Sequence, residues 1–284
     1  MRTEPTNETL SEARPLLWTG GWDSTFRLLM LLLIEKQTVR PYYVLDDPRY
    51  RKSVNAEREA MQRIRRLFTT HYPDAAHRLL ATVEIPLDSI EPDAEIFEHY
   101  EGCLRRRFIG GQYEWLARFC RQRDISAMEL AIHRDDKARE MLAPLIGPDR
   151  ETLDPKFAGD CRYELFKYFR FPVFDTTKEQ MREAAARGGF AALMNETWFC
   201  HSPRNNRPCG TCNPCIYTIE EGLADRVPLA GRIRYKLRIV PRVRHWLVRH
   251  PDLYMSVRAA YRTVRGRKSP AAASSVTKNE AVSG

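Results

Sequence analysis

The chain has 284 residues, a formal net charge of +9 and seven cysteines, so it can bury a sizeable core and is too poor in cysteine for a disulfide scaffold. Its first 15 residues are polar and acidic, unlike a secretory signal. The longest apolar run, residues 28–34, is far shorter than the about 20 residues that cross a bilayer. We therefore expect a cytoplasmic protein that is not transmembrane.

Strand and helix patterns alternate along most of the sequence. A short apolar stretch predicts a buried strand over 15–19, and apolar residues on nearly all sides predict a buried helix over 23–36. This alternation predicts an α/β fold with a mostly parallel, doubly wound sheet. Further strands are predicted at 39–45, 79–85, 125–133 and 169–174, and further helices at 55–70, 108–121, 134–145 and 178–187.

The first strand–helix junction reads TGGWDST, residues 19–25. Gly20 and Gly21 let the backbone come close to a ligand, and the first amides of the helix favour an anion, so we expect a phosphate here. A Walker loop would need a Gly-Lys pair and a dinucleotide fingerprint a third glycine, and the junction has neither. The alternative is an ordinary glycine turn in which Asp23 or Ser24 caps the helix.

This heptapeptide resembles the SGGxDS loop of the PP-loop ATP pyrophosphatases, with Thr19 in place of the first serine. The resemblance implies that the loop holds the pyrophosphate that leaves when ATP adenylates a substrate. It also implies that Asp23 helps to hold Mg²⁺. The nucleotide-binding residues would be Thr19, Gly20, Gly21, Asp23, Ser24 and Thr25.

Four cysteines lie within residues 200–215, spaced C-x8-C-x2-C-x2-C. Four thiolates without an open position make a structural Zn²⁺ site, which we expect here. An iron–sulfur cluster and unrelated buried thiols are the alternatives. The other three cysteines fall outside the spacing and are predicted core residues. The expected ligands are Cys200, Cys209, Cys212 and Cys215.

A PP-loop followed by this cysteine pattern resembles the 7-cyano-7-deazaguanine synthases. Three intermediate segments are also similar: FPVFDTTKEQ at 171–180, MNETWFC at 194–200 and GDCRYELF at 159–166. The resemblance covers about residues 15–225. The family's Gly-Gln-Arg-His and Pro-Gly-Arg-Asn segments are absent from the middle of this chain.

The resemblance implies a carbon–nitrogen ligase of queuosine or a specialised deazapurine pathway, which forms AMP and pyrophosphate. ATP would adenylate 7-carboxy-7-deazaguanine, ammonia would displace AMP to give the amide, and a second adenylation would lead to the nitrile. Asp23, Ser24 and Lys178 would be catalytic, and Asp160 and Arg162 would contact the substrate. For Lys178 a solvated surface lysine is the alternative, and for Asp160 and Arg162 a surface ion pair.

Residues 229–270 contain twelve Lys or Arg and one acid, so the basic character of the chain is concentrated there. Such a segment fits an anionic partner, either nucleic acid or a membrane surface, or a helix packed on the body or on a second subunit. We also expect a homo-oligomer. The predicted organisation is an N-terminal tail (1–14), a PP-loop domain (15–195), a zinc-binding segment (196–227), a basic helical extension (228–268) and a disordered tail (269–284).

Two other functions are compatible with the sequence. One is a PP-loop adenylating enzyme with a different acceptor, such as a protein, an RNA or a sugar. The other is a zinc-bearing nucleic-acid-binding module whose loop is a relic. Release of AMP would distinguish either enzyme from the binding module.

Overall fold

Five parallel strands form one sheet in the computed structural model, which describes residues 13–46 and 51–237. Their order is β3-β2-β1-β4-β5, so the chain changes direction across the sheet between β1 and β4, where α/β folds bind ligands. The predicted α/β fold with a parallel sheet is confirmed. The strands are β1 (Arg14–Leu17), β2 (Val39–Leu45), β3 (Val83–Pro86), β4 (Met128–Glu129) and β5 (Phe169–Arg170).

Helices connect and follow these strands. The first ends in a π-helical turn at Met30–Ile34. None of the helices in the described ranges is long and apolar enough to span a bilayer. The helices are α1 (Trp22–Leu29), α2 (Val54–His71), α3 (Ala94–Arg106), α4 (Gln112–Gln122), α5 (Lys137–Leu142), α6 (Cys161–Phe166), α7 (Lys178–Arg187), α8 (Ala191–Asn195), α9 (Asn213–Glu220) and α10 (Leu229–Leu237).

The chain divides into two compact units, Met1–Tyr235 and Lys236–Gly284. The sheet, the glycine loop and the four clustered cysteines all belong to the first unit. Only Lys236 and Leu237 of the second are among the described residues. The rest of the predicted basic extension and the predicted tails at both ends lie outside the described residues, apart from residues 13 and 14.

Both faces of the sheet are covered by apolar side chains, as a parallel sheet requires. Successive residues of β2 show this, because Tyr43 packs in a cluster with Leu28 and Phe68 while Val44 packs in a second cluster with Leu116. One cluster lies under α1, α2, α7 and α8, and the other under α3 to α6. The helices are therefore placed on both sides, and the carboxyl ends of the strands are left for a site.

The predicted strand over 125–133 forms only at Met128–Glu129. Its neighbour β1 has four residues and pairs with it at one position, Leu16 with Glu129. Beyond this point the Ile132 amide donates to Leu130 O at 2.9 Å, which turns the chain away from the sheet. The residues that follow β4 therefore leave the sheet and contribute to the wall of a cleft.

A capping box begins α7, the helix that carries Lys178. Thr177 Oγ1 accepts from the Gln180 amide at 3.1 Å, and the Gln180 side chain accepts from the Thr177 amide at 2.8 Å. We expect Thr177→Ala to lower the free energy of unfolding by about 1 kcal/mol, because a first-turn amide loses its partner. Chemical denaturation would measure this.

The matched control is Thr69→Ala, since the Thr69 hydroxyl only bonds back to Arg66 O within α2. Its expected effect is within about 0.5 kcal/mol. Equal losses in the two variants would contradict a special role for the Thr177 cap.

Candidate active site and metal centre

The glycine loop lies between β1 and α1, at the carboxyl end of the sheet. Gly20 has a φ of +68°, and a Cβ there would come within 3.0 Å of both Glu57 O and Met61 Cγ. Only glycine fits this conformation and this contact with α2 without strain. The Trp198 amide donates to Gly20 O at 2.8 Å, so the segment that leads to the clustered cysteines is fixed to the loop.

The hydroxyl groups of the loop have two different roles. Thr19 and Ser24 line the cleft and lie 3.3 Å apart, oxygen to oxygen. Thr25 is buried, and its hydroxyl accepts from Trp18 Nε1 at 3.0 Å. Gly21 is the N-cap residue of α1, and no side chain caps the helix. Neither Asp23 nor Ser24 caps α1, so no side chain of the described residues competes with a ligand for its first amides.

Asp23 is the centre of a charged group beside the loop. Lys178 Nζ lies 3.7 Å from Asp23 Oδ2 and 2.6 Å from Glu221, and His133 Nε2 lies 3.9 Å from the same Asp23 oxygen. The other oxygen, Oδ1, is buried and accepts no hydrogen bond from the described residues. A buried carboxylate oxygen without a donor is costly, which indicates a place for a cation or another ligand.

Lys178 stays positively charged in this group. Burial alone would lower its pKa, but the carboxylates of Asp23 and Glu221 outweigh burial, and the net shift is upward. His133 Nδ1 accepts from the Asp135 amide at 3.2 Å, so the neutral ring carries its proton on Nε2, on the side of Asp23.

Asp136 is a second carboxylate near Asp23. It caps α5 by accepting from the Ala138 amide at 2.9 Å. Burial raises the pKa of Asp136, and the negative charge of Asp23 adds to the shift, while the Ala138 hydrogen bond and His133 oppose it. Two carboxylates that disfavour each other's charge are a typical place for a divalent cation.

These groups line one cleft of about 470 Å³, a volume within the usual range for small-molecule sites. The loop and its charged neighbours form one part, which also includes Trp198, His201, Pro214 and Tyr217 of the cysteine segment. The other part is mainly apolar and comes from α4, the residues before it and the chain after β4. Its lining residues are Phe108, Ile109, Tyr113, Leu116, Leu130 and Ile132.

The four clustered cysteines come together as predicted. Their sulfurs all lie within 4.8 Å of one another, with Cys209 and Cys215 at 3.8 Å and Cys200 and Cys212 at 3.9 Å. Ligand bonds of about 2.3 Å in a tetrahedron place sulfurs about 3.8 Å apart, so the four thiols can hold a metal ion such as zinc.

Backbone amides support negative charge on these sulfurs. The Cys212 amide lies 3.2 Å from the Cys209 sulfur, and Thr211 donates to it through both its amide and its hydroxyl. Burial would raise the pKa of Cys209, but these hydrogen bonds bring it below its usual value. A thiolate is the form that binds a metal, so the surroundings of Cys209 favour binding.

Helix α10 packs directly on the turn between these cysteines. Gly210 has a φ of +75°, and a Cβ there would lie 2.1 Å from Gly231 O, inside any van der Waals distance. Arg234 Nε also donates to Cys209 O at 2.9 Å. The first turns of the predicted basic extension are thereby joined to the metal-binding turn.

The structure brings most of the predicted site residues together but leaves two elsewhere. The side chains of Asp160 and Arg162 form two hydrogen bonds with each other, of 3.0 and 2.8 Å, and Asp160 caps α6 by accepting from the Arg162 amide. Arg106 adds a contact of 3.3 Å to Asp160. Neither residue of the pair is part of the cleft lining. The two residues therefore form a partly buried ion pair with each other outside the cleft lining.

Residues that the sequence did not single out also enter the site. Glu221 pairs with Lys178, and Arg226 lines the cleft with its guanidinium 4.9 Å from the Trp22 ring. Both follow α9, about 200 residues after the loop, and no local pattern connects them to it. Glu129, which ends the buried β4, instead binds Arg27 through hydrogen bonds of 2.6 and 3.0 Å.

Comparison with known proteins adds no assignment to this geometry. No protein-family model matches the chain, and no curated protein matches its sequence.

Proposed function

We propose that the protein is an ATP-dependent ligase that adenylates 7-carboxy-7-deazaguanine and uses ammonia to convert its carboxylate to the nitrile. The observation that carries this proposal is the environment of the Asp23 carboxylate. Its buried Oδ1 lacks a hydrogen-bond partner among the described residues, beside a glycine loop and a charged lysine. This arrangement supports the binding of a phosphate together with a divalent cation.

Mg²⁺ fits the carboxylates of this site. Asp23 and Asp136 offer the hard oxygen ligands that the ion prefers, and Asp23 has one oxygen to spare. When bound, Mg²⁺ would neutralise charge on the polyphosphate and make it a better leaving group. Lys178 would add a fixed positive charge on the same side, since its pKa is raised.

The apolar part of the cleft supports a flat heterocyclic ligand. Ile109, Leu116 and Leu130 offer hydrophobic surface, and Tyr113 adds an aromatic ring. Adenine and the deazaguanine ring are both planar, so each would need a flat apolar surface in the cleft and a few polar groups at its edges. This proposal does not use Asp160 and Arg162, because they pair with each other outside the cleft lining.

The chemistry requires activation because a carboxylate is a poor electrophile. A carboxylate oxygen would attack the α-phosphorus of ATP, and pyrophosphate would leave. Ammonia would then attack the acyl carbon and expel AMP, which gives the amide. A second ATP would activate the amide oxygen, and elimination of AMP would give the nitrile. The loop amides and Lys178 would stabilise the charge that develops on the phosphates.

Zinc would have a structural role in this enzyme. Cys200, Cys209, Cys212 and Cys215 would complete its coordination, leaving no position for a substrate. The cysteine segment also contributes Trp198 and Tyr217 to the cleft. A folded metal site would therefore hold one wall of the cleft in place.

The test is incubation of purified protein with ATP, Mg²⁺, ammonium and 7-carboxy-7-deazaguanine, followed by mass spectrometry. We expect the nitrile, with two AMP and two pyrophosphate formed for each nitrile. Omission of the deazaguanine carboxylate should leave ATP intact, which excludes a contaminating ATPase.

Other results of this experiment would favour one of the two alternative functions. An adenylated intermediate without nitrile would show that activation occurs and that the acceptor is different. The absence of family segments from the middle of the chain favours this second candidate. ATP that remains intact with every component present would refute the proposal and leave the nucleic-acid-binding module.

A further inference from the structure

Arg226 is held between two aromatic rings at the edge of the cleft. Its guanidinium carbon lies 4.9 Å from the centre of the Trp22 ring and 5.1 Å from that of Phe199. One terminal nitrogen donates to Thr197 O at 2.6 Å. These contacts fix the plane of the guanidinium and occupy one of its nitrogens, while the residue lines the cleft.

Among the described residues, no close carboxylate balances the charge of Arg226. In the described part of the chain no ion pair includes Arg226, and its sequence neighbour Asp225 pairs with Arg182 at 2.8 Å. Burial lowers the pKa of Arg226 to about 10, with the charges of Asp225 and Asp23 acting in the opposite direction. A partly desolvated cation of this kind gains free energy when an anion arrives.

The position of Arg226 indicates which anion it would meet. Trp22, the ring on one side of it, is the first residue of α1, directly after the glycine loop. Asp23 follows, and its charge is close enough to influence Arg226. The guanidinium therefore lies against the residue that begins α1, directly after the glycine loop.

We propose that Arg226 binds the polyphosphate of ATP, as a preorganised anion-binding residue that the cysteine segment and its following turn bring to the glycine loop. This inference rests on the proposed ATP-dependent function. A planar guanidinium presents parallel N–H donors to phosphate oxygens, and the two rings hold it in that orientation before the ligand arrives.

If Arg226 had only a structural role, its replacement would have a different effect. The hydrogen bond to Thr197 O also fixes the segment before Cys200, so loss of Arg226 would loosen the cleft in general. A loosened cleft would weaken every ligand alike. An anion-binding role weakens only ligands that carry phosphate.

The test is calorimetric binding of ATP, inorganic pyrophosphate and adenosine, with Mg²⁺, to the full chain and to three variants. Arg226→Met should weaken ATP and pyrophosphate by about 10–100-fold, the usual contribution of a charge-assisted hydrogen bond, and leave adenosine unchanged. Arg226→Lys keeps the charge without the planar fork and should weaken the same two ligands by about tenfold. Arg182→Met, which removes a charge next to Asp225 but outside the cleft lining, should bind all three ligands like the wild type.

The outcomes separate the two proposals. Wild-type affinity for ATP and pyrophosphate in Arg226→Met, or equal loss for adenosine, would overturn the role of Arg226 while ATP use stands. If Arg226→Met does not fold, unchanged phosphate affinity in Arg226→Lys would overturn it. If the wild type binds neither ATP nor pyrophosphate, the proposed function fails and this inference fails with it.

Discussion

Replacement of Asp23 by asparagine should reduce the ATP-dependent formation of AMP by about 100-fold or more. The change keeps the size of the side chain and removes the negative charge that would hold Mg²⁺ against the phosphates. Charge stabilisation of this kind typically contributes 10²–10³ to a rate, as an order of magnitude. Lys178 and His133, which both lie within 4.0 Å of Asp23, would also lose their common anionic partner.

The measurement is pyrophosphate release at saturating ATP, with thermal unfolding and metal content as checks of folding. Asp74→Asn is the matched control, because Asp74 is exposed on a 3₁₀ turn outside the cleft lining. We expect it to behave as the wild type. Wild-type turnover in Asp23→Asn, in a preparation that consumes ATP, would refute the role of this carboxylate.

Replacement of Cys212 by serine should abolish metal binding and folding of the cysteine segment. A hydroxyl is a poor substitute for a thiolate, and one missing ligand opens the coordination of a structural site. Zinc contributes roughly 10–16 kcal/mol in small zinc peptides, against about 5–15 kcal/mol for the stability of a whole domain. Loss of the metal should therefore lower the yield of folded protein and not only its activity.

Metal analysis and thermal unfolding of the purified variant would test this expectation. Cys161→Ser is the matched control, because Cys161 is part-buried like Cys212 but lies outside the cluster. It should retain one zinc per chain. A soluble, active and metal-free Cys212→Ser protein would overturn the structural zinc assignment.

Local signals predicted several elements almost to the residue. The strand at Val39–Leu45 and the helix at Lys178–Arg187 have the bounds expected from the sequence. β2 is a compact run of apolar and aromatic residues, and the Thr177 cap determines where α7 begins. The four cysteines were recognisable for a similar reason, since their close spacing is itself the requirement for a shared metal.

Other elements depend on partners that are distant in sequence. Helix α3 was not predicted, because it buries little apolar surface, chiefly Ile96 and Cys103, and exposes Phe97. The strand at Met128–Glu129 is short because the chain turns where the Ile132 amide donates to Leu130 O, which the apolar run over 125–133 does not reveal. The predicted strand at 79–85 begins instead at Val83, after a single bridge from Leu79 to Val39.

In the candidate site, too, some residues could be predicted from the local sequence and others depend on distant parts of the chain. Thr19, Ser24 and Asp23 were predicted from one contiguous motif and do line the cleft. The placement of Glu221 and Arg226 beside them follows from the path of the chain after the cysteine cluster, which has no local signature. The family resemblance implied that Asp160 and Arg162 contact the substrate, but in the structure this carboxylate and guanidinium, two residues apart, bind each other.

The hydrogen bond from the Trp198 amide to Gly20 O joins an early and a late segment of the described fold. During synthesis the glycine loop therefore leaves the ribosome long before the segment that completes it. Contacts between residues so distant in sequence form late and slow the folding of a domain. The nascent loop would therefore remain incomplete until the cysteine segment has been made and has folded against it.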